Sequence, residues 1–136
     1  MMVVDASILV SYMVPNDVNH EKAVKWIKKI SLKEAFLIPE IALIEIACVL
    51  TRIGTEENLI NEWLIWIRKF SLIAGKKDSS EQPSLEEIIL EAKRTGCRAG
   101  DVFYVALAVK HAIPIASFDK DQLMRAKKVA INIIEP

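Results

Sequence analysis

The chain has 136 residues, 52% of them hydrophobic, and its 18 basic and 18 acidic side chains cancel to a net charge of +0. That length suits one domain, residues 1–136, with a real core, and the charge balance excludes a nucleic-acid partner held by bulk electrostatics alone. Charges or prolines interrupt every apolar run before it reaches bilayer length, so no membrane partner is expected.

The two cysteines, Cys48 and Cys97, form no CxxC motif and no disulfide framework. Each reads as a small buried hydrophobe. No basic leader precedes an apolar run, so no signal peptide is expected and the cytoplasm is the expected compartment. The basic clusters "KWIKK", "GKK" and "RAKK" read as solvated faces.

In chain order, "MMVVD" predicts a strand, and a short helix follows over residues 7–12, ended by Pro15. "VNHEKAVKWIKKI" carries apolar residues at Val18, Ala23, Trp26, Ile27 and Ile30, the spacing of an amphipathic helix. "EAFLIP" is a short β-type run. Pro39 then opens a helix that reaches Ile53 and is closed by Gly54. Thr55 is the expected cap of the next helix, which runs to Phe70. "SLIAG" predicts a strand and "GKKDSSEQPS" a polar loop. Ser84, with Glu87 three residues on, predicts a capping box for a helix to Arg94. "GDVFYVALAVKHA" reads as helix, "IPIAS" as strand, "DKDQLMRAKK" as a last helix and "VAINII" as a last strand. This alternation predicts a three-layer α/β/α sandwich around a mainly parallel sheet.

Four acids stand out against that framework. Asp5 and Asp119 each end a strand, where open parallel sheets bind their ligands. Each is also a natural N-cap for the helix behind it. Asp101 opens a helix, and the N-cap reading is open there too. Glu45 shares a helix face with Ile41, Ala42, Cys48 and Val49, with no Lys or Arg one turn away. A carboxylate on such a face is paired by a distant base, protonated, or turned toward a cleft that holds a cation. In a doubly wound sheet these positions can converge on one edge. Two carboxylates about 5 Å apart repel by about 3 kcal/mol at an effective dielectric near 20. A divalent cation removes that repulsion, and all-oxygen donors favour Mg²⁺ or Mn²⁺. His20 and His111 lack ligand spacing and read as structural.

Three blocks, "VVDASILV", "IPEIALIEIACVL" and "GDVFYVALAVKHAIPIASFDKDQL", in this order and spacing, resemble the PIN-domain family, in particular the VapC-type toxin ribonucleases of toxin–antitoxin pairs. The resemblance spans essentially the whole chain. It implies an acidic quartet of Asp5, Glu45, Asp101 and Asp119. The family's Glu falls on Glu45 rather than Glu40, which suits a helix start beside Pro39. Ser7 and Ser117 match small polar positions bordering the family's site. Gly100, directly before Asp101, departs from the commoner pattern, and leaves Arg98 either near phosphate or on the surface.

The resemblance implies metal-dependent hydrolysis of an RNA phosphodiester. Asp5, Asp101 and Asp119 would hold one or two Mg²⁺ or Mn²⁺ ions, and Glu45 would bind a second ion or orient the attacking water. It also implies a small antitoxin as partner and a homodimer. The aromatic helix "NLINEWLIWIRKF" is then either an ordinary packed helix or a docking surface. A receiver domain would carry an acidic pair at the first strand, and a haloacid-dehalogenase-type phosphatase an Asp-x-Asp, where this chain has Ser7. The alternative from another class is a non-catalytic module of the same fold that binds RNA or protein.

Overall fold

The computed structural model describes residues 1–75 and 81–136. Its central strand, β1 (Met2–Val4), is apolar and wholly buried, as a strand covered on both faces must be. β2 (Phe36–Pro39) pairs with it in parallel, Met2 opposite Phe36 and Val3 opposite Leu37. β3 (Leu72–Ala74) adds outside β2. On the other side of β1 lie β4 (Ile115–Ala116) and then β5 (Ile133–Ile134). Among the described residues the sheet is five-stranded, ordered β3-β2-β1-β4-β5 and parallel throughout.

The direction of winding reverses between β1 and β4. Parallel crossovers are right-handed, so the helices after β1 and β2 cover one face and those after β3 and β4 cover the other. The first layer holds α1 (Ala6–Met13), α2 (His20–Ile30), α3 (Ile41–Arg52) and α4 (Glu57–Phe70), with α1 touching α2 and α3, and α3 touching α4. The second holds α5 (Leu85–Thr95), α6 (Ala99–His111) and α7 (Lys120–Ala126), with α6 lying across β1, β2 and β4. The architecture is the expected three-layer α/β/α sandwich. Its core draws Val3, Ile38 and Ile115 from the sheet, Ile8 and Ile46 from the first layer and Leu107 from the second. Each such side chain contributes about 1.5–3 kcal/mol by leaving water. Among the described residues no helix is long and apolar enough to cross a membrane.

Local signals behave as their chemistry dictates at several boundaries. Ser84 Oγ accepts from the Glu87 amide at 3.2 Å while the Ser84 amide donates to Glu87 Oε2 at 2.6 Å, a complete capping box. Gly54 closes α3 with φ +84°. Other boundaries differ from expectation. Pro39 ends β2 instead of opening α3, sitting opposite Ala74 at a strand terminus where no further amide is needed. Thr55 does not cap α4, because that helix begins one residue later than expected and Thr55 lies outside the cap position, its amide donating to the Leu50 carbonyl at 3.0 Å. Glu56 takes the cap position, without a side-chain bond. Val18 lies outside α2 and is 93% exposed. The last strand keeps only Ile133 and Ile134 of "VAINII", after a 3-10 turn at Lys127–Val129. The "GKK" cluster falls partly outside the described residues, as does much of the polar loop, while the lysines of "KWIKK" and "RAKK" are exposed.

The aromatics of α4 are bound into the first layer. Trp66 stacks on Tyr12 of α1 with ring centroids 5.2 Å apart and on Phe70 at 4.4 Å, and Phe70 meets Phe36 of β2 edge-on at 5.2 Å. Intramolecular packing accounts for this inner face. Leu59 and Ile65 on the same helix remain exposed.

Candidate functional site

The point where winding reverses sits between the carboxyl ends of β1 and β4, and there a cleft of about 620 Å³ opens. In doubly wound sheets such a crevice is the natural ligand site. Asp5, Glu45, Asp101 and Asp119 all line it, as does Ser7. Four chain segments far apart in sequence therefore bring their acids to one place.

Asp5 directly follows β1 and is only 7% exposed. Its Oδ2 accepts from the Ser7 amide at 2.9 Å and from Ser117 Oγ at 3.1 Å. Its Oδ1 accepts from Gln122 Nε2 at 3.3 Å. Asp5 is thus the N-cap of α1 and also tied to the segment after β4. Ser7 Oγ accepts from the Phe118 amide at 3.1 Å, and Ser117 Oγ accepts from the Asp119 amide at 2.9 Å. The two serines stitch the ends of β1 and β4 together, with Oγ atoms 3.3 Å apart.

Asp119 caps α7, accepting from the Gln122 amide at 3.0 Å, and is exposed toward the cleft. Asp101 is different. The cap of α6 is Arg98, so Asp101 stands inside the first turn and makes no capping bond. Burial first, then the charges of Asp119 and Asp5, raise its pKa above the ordinary 3.8, while the exposed Arg98 pulls it down. Arg98 is the N-cap residue of α6, three positions before Asp101.

Glu45 does not project from the most apolar side of α3. The buried face of that helix is Ala42, Leu43, Ile46 and Leu50. Glu45 is half-buried on the cleft wall beside Cys48 and Val49. This also corrects the reading of the cysteines: Cys48 is exposed because it follows Glu45 by one turn, and Cys97 is half-buried. Among the described residues the partner of Glu45 is not a base. Tyr104, 1% exposed on α6, donates its hydroxyl to Glu45 Oε2. Burial raises the Glu45 pKa most, the Tyr104 bond lowers it, and the charges of Asp5 and Asp101 raise it further. Gly100 explains how α6 comes so close: a Cβ there would stand 2.6 Å from Glu45 Oε1.

Tyr104, Gln122 and Gly100 were not among the residues the sequence marked as contacts of the acids. The available signals were a hydroxyl inside the apolar run "VFYVALAV", an amide one turn past Asp119, and a glycine inside a helix start. Arg52, at the end of α3, lines the cleft as a cation. Both histidines bond to backbone carbonyls, His20 to Ser11 at 2.8 Å and His111 to Glu81 at 2.9 Å, and neither lines the cleft.

Among the described residues no three acidic, cysteine or histidine side chains already stand at the spacing of a formed cation cage. The donor chemistry nevertheless suits a hard divalent cation: four carboxylates share one cleft, and the charges of neighbouring acids raise the pKa values of Glu45 and Asp101.

A parallel, doubly wound α/β protein with an acidic cleft at its reversal point is the class that fold and site define. The chain belongs to the PIN domain family, whose model matches residues 2–129. No curated protein matches it by sequence. Among solved structures, PAE2754 from Pyrobaculum aerophilum is similar with a TM-score of 0.69 and 20% identity, over 98% of this chain and 87% of that one. FitAB bound to an IR36 DNA fragment gives 0.72 and 14%, over 100% and 95%. VapBC2 from Rickettsia felis bound to a promoter DNA fragment gives 0.67 and 11%, over 98% and 97%. At these identities the likeness is one of fold.

Proposed function

We propose that this chain is a Mg²⁺- or Mn²⁺-dependent endoribonuclease and the toxin of a VapBC-type toxin–antitoxin pair. The observation that carries the reading is the convergence of Asp5, Glu45, Asp101 and Asp119 on one cleft of a PIN fold. An apolar lining would serve a binding module better than mutually repelling acids do.

Asp5, Asp101 and Asp119 are the cation ligands in this proposal. A divalent cation held there would make water nucleophilic near neutral pH and offset charge on the phosphate. Glu45 either binds a second ion or orients the water, and its raised pKa suits it to take up a proton. Tyr104 holds the carboxylate that does so. Arg52 and Arg98 flank the acids as cations for the RNA backbone. The whole chain, residues 1–136, acts as one domain in the cytoplasm. A small antitoxin and a second copy of the chain are its proposed partners, and the FitAB and VapBC2 complexes that share the fold support the antitoxin.

The test is cleavage of a mixed structured RNA with Mg²⁺ or Mn²⁺, and again with EDTA, beside Asp5→Asn. Metal-dependent cleavage that disappears in Asp5→Asn is expected. RNA binding without cleavage, indifferent to EDTA and to Asp5→Asn, overturns the nuclease in favour of a binding module.

A further inference from the structure

Gln122 lies behind Asp5, outside the cleft, and is fully buried. Its Nε2 donates to Asp5 Oδ1 at 3.3 Å, yet its own Oε1 is buried without a hydrogen-bond partner. Turning the amide over would set Oε1 against Asp5 Oδ1, two acceptors face to face. Either way one polar atom goes unmatched, and an unpaired buried acceptor is destabilising. An apolar side chain of the same size would remove that defect. It would also take from the buried Asp5 carboxylate the one hydrogen bond on Oδ1, so the amide is kept for Asp5 and not for its own packing.

Oδ2 of Asp5 already accepts from the Ser7 amide and Ser117 Oγ, which uses both of its lone pairs. Oδ1 accepts only from Gln122, so one of its lone pairs is left free. We propose that Gln122 is a positioning residue that fixes the rotation of the Asp5 carboxylate, leaving Oδ1 as the oxygen that it would offer to a divalent cation. A one-oxygen carboxylate contact suits the small octahedral Mg²⁺ and Mn²⁺, whereas Ca²⁺ accepts two-oxygen contacts readily. The inference rests on the cation site proposed above.

The test is Gln122→Met, which keeps the volume and removes the donor, with Gln122→Leu as a second variant. Mn²⁺ binding to the full chain is measured by calorimetry, alongside Tm without metal and RNA cleavage across a Mn²⁺ series. Loss of the Asp5 bond and loss of the orphan Oε1 oppose each other, so the expected result is a small change in Tm, Mn²⁺ affinity weakened by roughly tenfold or more, and kcat reduced with KM for RNA unchanged. Raising Mn²⁺ restores kcat, which repair of a merely structural fault would not do. If wild type binds Mn²⁺ and both variants bind it equally well, the positioning role is overturned while the site stands. If wild type binds no Mn²⁺, the site reading falls and the positioning role with it.

Discussion

Gly100→Ala isolates the close approach of α6 to Glu45. Gly100 is the second residue of α6, and an added Cβ would stand 2.6 Å from Glu45 Oε1. Ordinary contact begins near 3.4 Å, so the carboxylate must retreat by about 0.8 Å or turn away. Its other oxygen accepts from the buried Tyr104 hydroxyl, so the retreat weakens a hydrogen bond of about 1 kcal/mol. Alanine meanwhile gains up to about 1 kcal/mol over glycine in a helix. The two effects oppose each other, and net stability is expected within about 1 kcal/mol of wild type. Catalysis has no such compensation. A misplacement near 1 Å costs on the order of 100-fold, so RNA cleavage should fall steeply in a protein whose Tm barely moves. Repeating the substitution on Glu45→Ala removes the obstacle, and Gly100→Ala should then stabilise by up to about 1 kcal/mol. Equal Tm shifts in both backgrounds would refute the contact. A wild-type cleavage rate for the single variant would refute its importance to the site.

Two further outcomes follow from the same geometry. The folded pKa of Glu45 lies above its ordinary 4.5, through burial first and then the charges of Asp5 and Asp101. The folded chain therefore keeps a proton that the unfolded chain has released. That contribution is complete below about pH 4.5 and drains as pH rises through the raised value. In EDTA, the Tm of wild type should fall with rising pH more than that of Glu45→Gln, and parallel curves would contradict this. Ser84→Ala, which breaks the capping box of α5, should cost about 1 kcal/mol in urea unfolding and leave RNA cleavage untouched.

Much of this protein is decided locally. The apolar runs before Asp5 and Asp119 specify buried strands, because only a parallel sheet covered on both faces hides such segments. Ser84 with Glu87, and Gly54, mark helix ends through bonds and dihedrals that span a few residues. The four acids could be singled out because each sits at a strand end, a helix start or an apolar neighbourhood that is readable in one dimension. What lay beyond the sequence depends on packing between distant segments. Which side of α3 faces the cleft decides that Glu45 is a wall residue and that Cys48 is exposed. Tyr104 reaches Glu45 across 59 residues, and Gln122 reaches Asp5 across 117. Thr55 loses its expected cap role because α4 starts one residue later, behind Glu56. Helical periodicity ranks the faces of α3 by hydrophobicity, but only the docking of α1, α4 and β2 against it determines which half-apolar face meets water and acid.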